Sequence, residues 1–310
     1  MSDSVYEINA YAKINLFLKI CGRLPNGYHK LYTIMQEVDL YDEITVAIDE
    51  GKDETITVKD PEGNILSANN LCYIAADKFY GYMGKKLKKT NFPAVTITLK
   101  KNIPAQSGMG GGSSDAAAVL LVMQQHFDSP FSDREMEELA VSIGADVPFF
   151  LYGGTCLCEM VGEDITVLRS LAGEDLVLVK PPEGVSTAEC FKACDSEPTD
   201  DATIREYREF TARLEEGNED QADMKDLIRF VLDREDCSND LQKPAEEMVP
   251  VIYDLMEELN ANGASLARMT GSGSAVFGLF EDAASADRAY GSMKKTHETD
   301  GVQVFRLKTI

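Results

Sequence analysis

The stretch Lys101–Met123, KNIPAQSGMGGGSSDAAAVLLVM, decides how this chain is read. Gly108, Gly110, Gly111 and Gly112 crowd ahead of Ser113, Ser114 and an alanine-rich segment that predicts a helix from about Ser113 to His126. Successive glycines let the backbone curl until several N–H groups face one concavity, and the free amides of a helix start face the same point. Such a turn suits a phosphate. A tight strand-to-helix turn with a serine cap is the plainer reading of one or two glycines; four of them with two serines behind favour the anion.

Absences narrow the class of site. A P-loop carries Lys just before its terminal Ser or Thr, and here Gly112 precedes Ser113. Protein-kinase HRD and DFG signatures are missing. GMGGGS loosely imitates the dinucleotide fingerprint, which needs an acidic residue ending the next strand about twenty residues on; Asp128 instead follows the predicted helix. A dinucleotide oxidoreductase and a non-catalytic nucleotide-binding module stay as the alternatives from other classes.

The 310-residue length slightly exceeds what one hydrophobic core usually serves, which predicts two lobes. Hydrophobic residues make up 44% and charged residues 27%, ordinary for a soluble globular protein, and no run approaches the ~18 apolar residues of a membrane span. MSDSVYEINAYAK carries Asp3 and Glu7 and no basic leader, so the expected compartment is the cytoplasm. Seven cysteines without a CxxC pair are expected to be reduced and structural, with no metal centre. A net charge of −23 argues against nucleic acid and anionic membrane as partners, so an anionic ligand must be attracted locally.

Alternating apolar residues predict a strand over Val5–Ile20, and the Asn26-Gly27 turn leads to a second over Leu31–Leu40. DEITVAI and ETITVK read as two further strands, followed by a helix over Asn70–Tyr82 and the strand AVTITLKK. Another helix begins near Ser132, and ADVPFFLYGGTCLCEMVGE reads as strands around a Gly-Gly turn. The densely charged segment Asp195–Asp240 predicts surface helices in ATIREYREFTARLEE and MKDLIRFVL. KPAEEMVPVIYDLMEEL reads as one helix stopped by NANG, then SLARMTGSGSAVFGLF as strand, turn and strand, and QVFRLKT as a last strand. Without strict βαβ alternation the class is α+β.

In this order, AYAKINLFLKICGRLPNGYHKL, IPAQSGMGGGSSDAAAVL, IGADVPFFLYGG and ARMTGSGSAVFGLF resemble the motifs of the GHMP superfamily, the galactokinase, homoserine, mevalonate and phosphomevalonate kinases. The resemblance runs from Ala10 to Phe280. It implies a two-domain α+β fold, ribosomal-protein-S5-like over residues 1–162 and ferredoxin-like over 163–310. The AKxNLxL run followed by GYH is similar to the member that moves the ATP γ-phosphoryl group to the 2-hydroxyl of a cytidine diphosphate-linked methylerythritol, a step of non-mevalonate isoprenoid synthesis. ATP with Mg²⁺ carried mainly on its phosphates is the implied cofactor.

The resemblance assigns the triphosphate to Pro104, Ala105, Gln106, Ser107, Gly108, Met109, Gly110, Gly111, Gly112, Ser113 and Ser114, and the adenine pocket to Asn70 and Lys101. Gly271, Ser272 and Gly273 match the third glycine motif, a plain hairpin turn when taken alone. Lys13 and Asp146 carry over as the catalytic pair. A carboxylate can accept or orient the proton of an alcohol, while a lysine keeps that carboxylate ionised and stabilises charge building on the attacking oxygen. In isolation Lys13 reads as an exposed strand lysine and Asp146 as a turn residue; the ordered motifs reverse both readings. Asn15 shares the strand face of Lys13, and Tyr28, His29 and Phe191 are the groups suited to stack on and hydrogen-bond a pyrimidine.

Overall fold

The computed structural model describes residues 4–25, 27–194, 198–215, 224–232, 234 and 238–310. Asn26, half of the expected Asn-Gly turn, and parts of the charged 195–240 segment lie outside the described residues. The chain forms two compact units, one from Met1–Ala12, Leu40–Ile103 and Gly110–Tyr152, the other from Lys13–Asp39, Pro104–Met109 and Gly153–Ile310.

Two long strands, β1 (Ser4–Arg23) and β2 (His29–Asp49), contribute to both units. The sequence predicts a break near Leu40, yet β2 runs through it. Asp42 is buried in the strand, and its Oδ1 accepts the amides of Asn102 at 2.5 Å and Ile103 at 2.8 Å. In the first unit β2 leads on to β3 (Ile56–Lys59), α1 (Leu71–Leu87) and β4 (Ala94–Lys100). Glu43–Asp49 of β2 pairs antiparallel with β4, which pairs parallel with β3. Ile44, Val46 and Ile48 face the core beside Val95, Ile97 and Leu99, the period-two pattern of a half-buried sheet.

Helices α2 (Gly111–His126) and α3 (Asp133–Ile143) follow, and α1 packs against both. α2 is buried without interruption from Ser114 to Leu120, so its alanines suit close helix packing rather than an amphipathic surface. ADVPFF is not a strand. It forms a turn and then α4 (Phe149–Tyr152), with Val147 N–H donating to Gly144 O at 3.2 Å and Pro148 placed where a missing N–H costs nothing. The neighbouring Phe149 and Phe150 are both buried.

The second unit adds β5 (Thr155–Met160) and β6 (Asp164–Val167), with Leu31–Gln36 of β2 antiparallel to β5 and β5 antiparallel to β6. After β7 (Asp175–Lys180) come α5 (Thr187–Ala193), α6 (Asp201–Thr211), α7 (Met224–Leu232), α8 (Gln242–Met248), α9 (Val251–Ala261), β8 (Leu266–Met269), β9 (Val276–Phe280), α10 (Ala283–Thr296) and β10 (Gln303–Lys308). The strands order β10-β7-β9-β8, all antiparallel, which is the ferredoxin-like arrangement the sequence implies.

KPAEEMVPVIYDLMEEL forms two helices, not one, because Pro250 has no N–H and holds Val249 outside helical dihedrals (φ −138°, ψ 80°). Helices α5 and α10 and strand β7 were not among the expected elements. The sheet and its helices share one core in which Leu18 and Ile20 of β1 meet Val177, Ile252, Leu255, Val276 and Ala289. Among the described residues six cysteines form no disulfide and no helix is long and apolar enough to cross a membrane.

Candidate functional site

Gln106, Gly108 and Gly110 have positive φ of 51°, 76° and 71°, and left-handed residues at alternate positions curl backbone amides into a concave nest. The helix then opens at Gly111, two residues earlier than expected. Gly110 caps it without a side-chain bond, and the first helical bond is Ser114 N–H to Gly110 O at 2.9 Å. The amides of Gly111, Gly112 and Ser113 therefore precede the intrahelical ladder and are available for an anion, while Ser113 and Ser114 lie in the first turn rather than at the cap.

Within the second unit the Pro104–Met109 half of the loop is clamped. Ser274 N–H donates to Gln106 O and Ala275 N–H to Ser107 O, both at 3.2 Å. A Cβ on Gly108 would stand 2.1 Å from Thr270 O, so only glycine fits this approach. On the other flank a Cβ on Gly184 would stand 2.3 Å from Gln106 Oε1. Thr270, Gly271, Ser272, Gly273 and Ser274 are all buried, unlike a hairpin tip, because the motif packs on the loop.

Lys13 sits under this clamp. It is 2% exposed, and its Nζ donates to Gly108 O and to Asn15 Oδ1, each at 2.6 Å, while its amide donates to Met109 O at 3.0 Å. Asn15 Nδ2 in turn donates to Thr33 Oγ1 at 2.9 Å, and Asn15 N–H to Thr270 Oγ1 at 3.0 Å. A buried lysine is tolerated only with such partners, and these fix both the ammonium and the loop carbonyl it holds. Asn239, in an SNDL segment to which sequence reading assigned no role, closes the network: its Nδ2 donates to Met269 O at 2.9 Å and Gly271 O at 2.8 Å. Beside it Asp240 pairs with the buried Lys19 of the same strand as Lys13.

In the first unit the Asp146 turn lies beside the helix start, since a Cβ on Gly144 would stand 3.9 Å from Ser113 Oγ. Asp146 itself is half-buried. Asn70 is the N-cap of α1, its Oδ1 accepting Cys72 N–H at 2.9 Å. Lys101 is held by two carboxylates, those of Asp42 and of Asp115 (2.6 Å). Burial opposes its charge, but Asp115 and Asp42 outweigh that and raise its pKa. Asp42 and Asp115 had no place in the sequence reading; Asp115 stands inside the glycine-serine stretch, where it reads as an ordinary helix residue.

His29 and Phe191 meet in the second unit, their rings stacked at 5.2 Å and 28°. Arg23 Nε donates to His29 Nε2 at 3.0 Å, so the neutral ring carries its proton on Nδ1. Partial burial lowers the His29 pKa, and the Arg23 charge lowers it further. Tyr28 is 61% exposed, a phenol face presented to solvent next to this pair. The arrangement offers an aromatic platform with one imidazole donor.

Set against known proteins, residues 70–154 match the GHMP kinases N terminal domain and residues 223–299 the GHMP kinases C terminal domain. A curated 4-diphosphocytidyl-2-C-methyl-D-erythritol kinase of Clostridium botulinum (strain Alaska E43 / Type E3) is 36% identical over 98% of this chain and all of its own length. A second, from Desulfitobacterium hafniense (strain Y51), is 37% identical over 91% of this chain and 89% of its own. The crystal structure of a 4-(cytidine 5'-diphospho)-2C-methyl-D-erythritol kinase superposes with a TM-score of 0.73 at 30% identity, covering 98% of this chain and 99% of that one. A homoserine kinase from Cytophaga hutchinsonii shares the fold at 18% identity with a TM-score of 0.71 over 99% of this chain and 97% of that one.

Proposed function

The chain belongs to the GHMP kinase family, whose members are ATP-dependent small-molecule kinases, and from that premise we propose how it acts. It transfers the γ-phosphoryl group of ATP to the 2-hydroxyl of 4-diphosphocytidyl-2-C-methyl-D-erythritol, giving the 2-phosphate and ADP in non-mevalonate isoprenoid precursor synthesis. The substrate-level reading rests on full-length kinship with enzymes named for that substrate. The observation that carries the mechanism is the buried Lys13, bonded at once to the phosphate-loop carbonyl of Gly108 and to Asn15.

The triphosphate lies on Pro104–Ser114, its charge met by loop amides and the helix start. The acceptor oxygen attacks the γ-phosphorus as the bond to the bridging β–γ oxygen breaks, and the electron pair leaves on ADP. Asp146 orients the hydroxyl and takes its proton, while Lys13 stabilises charge on the attacking oxygen and the transferred group. Mg²⁺ would be held by phosphate oxygens, with the hydroxyls of Ser113 and Ser114 and the Asp146 carboxylate as hard donors of the kind it prefers; bound there it neutralises developing phosphate charge. Asn70 and Lys101 flank the adenine, and Gly271–Gly273 backs the loop. Tyr28, His29 and Phe191 take the cytosine, with Asn15 beside the reacting hydroxyl. The division at residues 162 and 163 and a cytoplasmic location are part of the same reading.

ADP release from MgATP, measured with this cytidine substrate beside homoserine and mevalonate, tests the proposal. Turnover is expected with the cytidine compound alone; turnover only with homoserine or mevalonate would reassign the acceptor within the family. Asp146→Asn and Lys13→Ala should each lower kcat by about 10²–10⁴ while MgATP still binds. Wild-type turnover in either variant would remove that residue from the chemistry.

A further inference from the structure

Strand β7 is buried along its whole length, yet it ends on a charged residue, Lys180, that is only 4% exposed. Its ammonium donates not to a carboxylate but to two main-chain carbonyls of the turn that follows, Pro181 O at 2.5 Å and Glu183 O at 2.8 Å. A buried ammonium is costly unless its donors are taken up, so the turn is folded around it. Glu183 O also accepts from Ser274 Oγ, which occupies its second lone pair with a group from the third glycine motif. The next residue, Gly184, comes so close to the phosphate loop that a Cβ there would stand 2.7 Å from Gln106 Cβ, an atom fixed to the backbone that cannot swing aside.

The same run of chain continues into the aromatic platform. Val185 is buried in one core with Cys190, and Ser186 caps α5 by accepting Glu189 N–H at 3.4 Å. Thr187, the first residue of α5, meets Ser272 of the third glycine motif, hydroxyl to hydroxyl at 2.7 Å. Four residues on, about 6 Å along the same helix face, Phe191 stacks on His29. The segment from Lys180 to Phe191 thus touches the phosphate loop, the third glycine motif and the aromatic pair in turn. Resting on the reading that the triphosphate lies on that loop and the cytosine against Phe191, we propose that Lys180 is a positioning residue: by pinning the turn it sets the spacing between the two bound substrates.

In-line transfer needs the acceptor oxygen and the γ-phosphorus about 3–3.5 Å apart and aligned. Each subsite binds its own ligand through its own groups, but the separation of the two belongs to the chain that joins them. Releasing the turn leaves both subsites able to bind at a looser spacing, a loss that falls on the transition state rather than on either ground state.

Steady-state kinetics with MgATP and the cytidine substrate, together with calorimetric titration of MgADP alone and of cytidine diphosphate alone, test this. Lys180→Met, which keeps the chain length and removes the donors, should lower kcat about 10–100-fold while both KM values and both Kd values stay within about 3-fold of wild type. Ser274→Ala removes the other donor to Glu183 O and should lower kcat in the same way by about 3–10-fold, so it decides the matter if Lys180→Met fails to fold. Because both act through one carbonyl, the double variant should lose less than the product of the two. A lysine that only stabilises the fold would lower Tm and leave the kcat of the folded protein unchanged, and that result overturns the proposal. So does a loss confined to the affinity for one ligand. A wild-type protein inactive on the cytidine compound overturns it together with the acceptor reading, whereas wild-type turnover with unchanged kcat in the variants overturns this inference alone.

Discussion

His29 condenses the residue-scale argument. Its ring is covered on one face by Phe191 and tied through Nε2 to Arg23, and both burial and that guanidinium favour the neutral form. The folded pKa is lowered, so the neutral form predominates above 6.5, and its contribution to stability is present there and lost as pH falls through the depressed folded value. With three histidines in the chain, the imidazole C–H signals can be assigned by substitution. The His29 midpoint is expected below 6.5, moving up in Arg23→Gln; a midpoint at or above 6.5 in the wild type would contradict the assigned environment.

At the scale of elements, the decisive feature is how two loops are locked by groups far away in the chain. The Gly271 motif supports the Pro104–Met109 segment, and Asn239 holds that motif by two main-chain carbonyls while its Oδ1 accepts Leu241 N–H at 3.0 Å. Asn239→Ala would bury both carbonyls without a donor, at a cost of about 3 kcal/mol. Because Thr270 and Gly108 move with the motif, kcat should also fall by more than KM for ATP rises. Denaturant unfolding and steady-state kinetics check the two parts; unchanged stability with unchanged kcat would show that the clamp does not depend on Asn239. The helix break at Pro250 and the unbroken β2 belong to this scale as well, since each depends on one residue's backbone chemistry or burial.

For the whole molecule, a net charge of −23 coexists with binding of a polyanion. Self-repulsion at that charge should be relieved by salt, so Tm is expected to rise between about 20 mM and 300 mM NaCl, a range over which the Debye length falls below ~10 Å. A Tm that falls over that range would mean that specific ion pairs outweigh the global repulsion. Much of the protein was legible in one dimension. The glycine run, the alternating strands, the α+β order and the family motifs are local or ordered patterns, and local patterns report backbone conformation and fold class directly. Asp146, Lys13 and the loop could be put forward as candidates for the same reason. Asp42, Asp115, Asn239 and Arg23 could not, because an aspartate in a helix or an asparagine in a loop carries no signal until burial and a distant partner give it one. Sequence alone determined the fold class and the family chemistry; tertiary structure decided which carboxylates share Lys101, which amide clamps the third glycine motif and which histidine nitrogen bears the proton, since desolvation and hydrogen-bond partnership exist only between segments brought together in space.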